Sequence, residues 1–105
     1  MKEYIKLYWA HTSEKEKNEP VVIIYEVDLS EERYAVRSVD IYTDRRAVNI
    51  EDKEFGFVTE CPVPTVKEFN SDEYGKEFRA CLITGEEFER IWKSGIYQGS
   101  MTHKS

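Results

Sequence analysis

The sequence predicts an α+β domain: an antiparallel β-sheet of about five strands with a C-terminal α-helix packed on one face. Three observations carry this. Apolar residues alternate with polar ones through the first half, short turn-forming segments separate the alternating runs, and a helix N-cap signal near the end precedes an amphipathic stretch.

In Tyr4-Ile5-Lys6-Leu7-Tyr8-Trp9, the residues Ile5, Leu7 and Trp9 share one face and Tyr4, Lys6 and Tyr8 the other. A period of two marks a half-buried strand, with Tyr4 and Tyr8 as the outward aromatics. His11 to Pro20 is polar and highly charged, so it reads as a solvated loop. Val21 to Leu29 is a second strand, and Leu29-Ser30-Glu31-Glu32 a short turn into an antiparallel third strand. There Tyr34 and Val36 share one face while Val39 and Ile41 share the other. The phase slips by one residue near Arg37-Ser38, which means either a β-bulge or a strand apolar on both faces, and the bulge is the expected reading. A second turn at Asp44-Arg45 leads into Ala47-Val48-Asn49-Ile50.

Cys61-Pro62-Val63-Pro64 is extended, because each proline lacks an amide donor and biases the preceding residue away from helix. Thr65 to Asn70 fits one helical turn, and Glu77 to Ile83 a final strand. Thr84-Gly85-Glu86-Glu87 is a capping box, and Phe88, Ile91 and Trp92 then fall on one helical face until Ser94-Gly95 stops it. The expected organisation is one domain over residues 1–95, with 96–105 a short tail that frays in part.

The 105 residues suit one domain, and 40% hydrophobic content suits a folded one. The longest apolar run, Val21 to Tyr25, is strand-sized, far below the ~20 residues of a membrane span. Met1 to Lys6 lacks the apolar region of a secretory leader, so the chain is expected in the cytoplasm without a membrane partner. Two cysteines, Cys61 and Cys81, fit a reducing compartment better than a disulfide framework. The net charge is −6, without the basic patch that phosphate binding needs. Direct nucleic-acid binding is therefore not expected, whereas a basic protein partner is complementary.

Candidate chemistry is sparse. His11 and His103 are the two histidines, neither at metal-ligand spacing, and no CxxC pair or glycine-rich phosphate loop occurs. No metal, cofactor or catalytic residue is expected. Cys61 with His11 is the arrangement a small hydrolase would need, and its bland reading is a turn cysteine and a loop histidine. For partner binding, Glu51, Asp52 and Glu54 beside Phe55 and Phe57 form a candidate docking loop, with Tyr42 as a further aromatic anchor. The bland reading of the acids is a solvated loop.

Several segments together resemble a small bacterial domain family found among immunity proteins of polymorphic-toxin and contact-dependent growth inhibition loci. They are Tyr4 to His11, Glu19 to Glu26, Glu32 to Tyr42, Pro62-Val63-Pro64 and Thr84 to Trp92. The pattern departs from expectation at Arg45, where Asp-Gly is expected in the hairpin. The resemblance implies a cytoplasmic antitoxin that occupies a toxin's active site or an adjacent surface. The toxin domain is expected to be a basic nuclease, and the antitoxin a monomer. The rivals are a regulatory interaction domain without a toxin and a small hydrolase.

Overall fold

The computed structural model describes residues 1–10, 20–31, 33–50 and 63–101. Five strands form one sheet, β1 (Lys2–Trp9), β2 (Val22–Asp28), β3 (Tyr34–Ile41), β4 (Ala47–Ile50) and β5 (Phe78–Ile83), in the order β4-β3-β2-β1-β5. Every pairing is antiparallel. Two helices complete the fold, α1 (Val66–Asn70) and α2 (Gly85–Ser94). This is the predicted α+β arrangement, with α2 on one face.

The alternation of β1 is real, but both of its faces are covered. Ile5 and Leu7 pack with Ile23, Tyr25, Val27, Val63 and Phe69, so α1 and its lead-in segment close one face. Val22, Ile24, Val39 and Ile41 pack with Phe88, Ile91 and Tyr97, so α2 and the segment after it close the other. Tyr4 and Tyr8, expected outward, are half-buried against that second cluster, and the Tyr4 ring lies 5.3 Å from Phe88. Alternation reports two faces of a strand and cannot say that only one is covered.

The expected bulge is present. Glu26 pairs with Arg37 and Val27 with Ala35, which leaves Val36 as the extra residue of β3. The slip turns Arg37, Val39 and Ile41 toward α2, and Ser38 and Asp40 toward the α1 face. At the β3–β4 turn Arg45 takes φ 69°, the left-handed conformation that glycine adopts without strain.

Residues 96–101 lie in the expected tail, and the part that packs is well anchored. Tyr97 is 2% exposed and donates its backbone N–H to the Arg45 carbonyl, while Ile96 bridges to Arg46. Together with a bond from Ala47 N–H to the Gly95 carbonyl, this occupies the β4 side of the sheet near its turn. The opposite edge is clipped by a side chain: Asn70 Nδ2 donates to the Ala80 carbonyl at 3.0 Å, and Ala80 N–H donates to Asn70 Oδ1 at 2.7 Å. An amide that mimics a neighbouring strand blocks strand addition at that position.

Candidate functional site

The β3–β4 turn, the second half of α2 and residues 96–99 meet at one end of the molecule. Arg45 makes that junction. Its Nη1 donates to the carbonyls of Tyr97 at 2.9 Å and Gly99 at 2.8 Å. Gly95 (φ 74°) ends α2 in the left-handed region and reverses the chain, which brings 96–99 back beside the helix. A cavity of about 320 Å³ opens between them. Ile91, Ile96 and Tyr97 supply its apolar wall, and Glu87 and Arg90 its charges.

The capping box expected at Thr84 forms only by half: Thr84 Oγ1 accepts the Glu87 N–H at 3.1 Å, and Glu87 is among the residues that line the cavity. Beneath the Tyr97 wall lies Lys6, 5% exposed. Its ammonium sits 4.7 Å from the Tyr8 ring centroid and 4.8 Å from that of Tyr97. Desolvation lowers the Lys6 pKa, opposed by the neighbouring Cys81 and Glu87. Burial also pushes the Tyr8 hydroxyl up to about 12, with the Cys81 thiol beside it adding to the rise.

Two further polar groups are buried in the sheet. Glu26 receives Arg37 in bidentate fashion at 2.7 and 3.0 Å, and Tyr4 donates to the same carboxylate at 3.1 Å. Arg37 also pairs with Glu89 of α2 and lies over the Phe88 and Trp92 rings at 4.8 and 4.7 Å. The hydrogen bonds from Arg37 hold the Glu26 carboxyl below the usual range. This is a clasp between sheet and helix, fully satisfied and closed to a ligand. Asp40 is different: it is 1% exposed, its Oδ1 has no hydrogen-bond partner among the described residues, and burial raises its pKa to about 6.

Of the residues that the sequence singled out for partner binding, Tyr42 is placed: half-buried at the end of β3, with the Arg46 guanidinium 4.6 Å from its ring centroid. Glu51, Asp52, Glu54, Phe55 and Phe57 lie outside the described residues, as do Cys61, His11 and His103. The cavity, Lys6 and Asp40 were not anticipated. The signal for Lys6 was a lysine flanked by tyrosines on the strand face opposite Ile5 and Leu7. It acquires meaning only once a second layer covers that face. Among the described residues no group of three or more His, Cys, Asp or Glu is placed to hold a metal ion. Nor is any helix among them long and apolar enough to cross a membrane.

A family model described as a domain of unknown function, DUF6881, matches residues 3–97. The chain belongs to the DUF6881 family. No curated protein and no solved structure matches it. The DUF6881 match takes in all five strands but for Lys2 of β1, both helices and Tyr97, so the cavity falls within the family domain except for Gln98 and Gly99.

Proposed function

We propose that this DUF6881 domain works by binding and not by catalysis, as an immunity protein that neutralises a toxin domain. The toxin is a basic nuclease by class, and the domain covers its active site or an adjacent surface. The observation that carries this reading is a net charge of −6. The excess of acids gives the molecule a negative field that attracts a basic partner and speeds encounter.

The architecture bears on how such a partner attaches. Both sheet faces are covered, and the β5 edge is clipped by Asn70 at Ala80. Attachment therefore runs through turns, loops and helix surfaces, Tyr42 beside the β3–β4 turn among them, and the sequence adds Glu51, Asp52, Glu54, Phe55 and Phe57 as candidates outside the described residues. A standard interface of ~1,600 Å² needs only a few such anchors to be tight.

The test is co-expression with a basic nuclease toxin domain chosen as the candidate partner. Cells are expected to survive only when this protein is present, and the two chains are expected to co-purify as a stoichiometric complex that has lost nuclease activity. A folded protein that neither protects nor associates rules the reading out.

A further inference from the structure

We draw no further inference here: the strongest candidate, the cavity between α2 and residues 96–99, is lined by one acid and one base, Glu87 and Arg90, beside an apolar wall, and nothing in the structure selects what would fill it.

Discussion

Asp40 sits in β3 between Ile23 of β2 and Val48 of β4, with Oδ1 facing no donor among the described residues. Burial raises its pKa from 3.8 to about 6, so the folded state holds a proton that the unfolded chain releases above pH 4. The contribution of Asp40 is therefore most favourable below pH 4 and is lost as pH climbs through 6. A shift of this size corresponds to about 3 kcal/mol. Asp40→Asn should raise the melting temperature at pH 7.5 and leave it nearly unchanged at pH 4, and an equal shift at both pH values excludes the titration account. Arg37 makes the contrasting case. Arg37→Ala strands the Glu26 carboxylate, whose side chain is 6% exposed, and should cost ~3–5 kcal/mol in denaturant unfolding. Arg37→Lys should recover little, since an ammonium neither bonds both Glu26 oxygens nor stacks on Phe88 and Trp92. Arg45 shows what a departure from expected turn chemistry means: a residue in glycine's conformation is kept where its guanidinium ties down 97–99. None of these roles was legible in the sequence. Each depends on which residue of a distant element arrives at the same spot.

At the level of elements the sequence was more informative, because hairpins, bulges and caps are local. The β3 bulge followed from two apolar pairs out of phase, and α2 from Thr84 with Phe88, Ile91 and Trp92 behind it. Thr84→Ala should cost ~1 kcal/mol for the cap it removes. The helical turn expected at Thr65 to Asn70 is α1, and it carries the complete capping box that α2 lacks: Glu68 N–H donates to Thr65 Oγ1, and Thr65 N–H donates to Glu68 Oε1. Five residues cannot hold a helix by propensity alone, so the box and the burial of Phe69 hold this one. The strand-like use of Asn70 had no local signal, because it depends on β5 arriving beside the helix. Asn70→Ala removes both bonds to Ala80, and should lower stability by ~1–2 kcal/mol and bare the edge of β5. Sedimentation velocity should then show self-association that grows with concentration and is absent from wild type. A variant of unaltered midpoint that stays unassociated shows that the clip is incidental.

For the whole molecule, charge was readable from composition alone, whereas its distribution was not. A net charge of −6 was open to reading, but not that Glu87 and Arg90 come to line one cavity with Tyr97. Encounter and escape depend differently on salt. Attraction between an acidic domain and a basic toxin acts over a Debye length, ~10 Å at 0.1 M salt, and so governs the rate of encounter. Contacts of buried anchors act only after docking and govern the rate of escape. Reversing Glu51, Asp52 and Glu54 to Lys changes the net charge by six, from −6 to about zero, and substitutes no residue of the five strands or two helices. Association with the toxin domain should slow by at least tenfold at low salt, with the difference from wild type shrinking as salt rises toward 1 M. Tyr42→Ala and Phe55→Ala should leave association nearly unchanged and speed dissociation. Stopped-flow association at three salt concentrations, paired with dissociation by competitor, resolves the two. Wild-type association by the charge-reversed protein at low salt would show that the toxin meets another surface, and the acidic stretch would then be no more than a solvated loop.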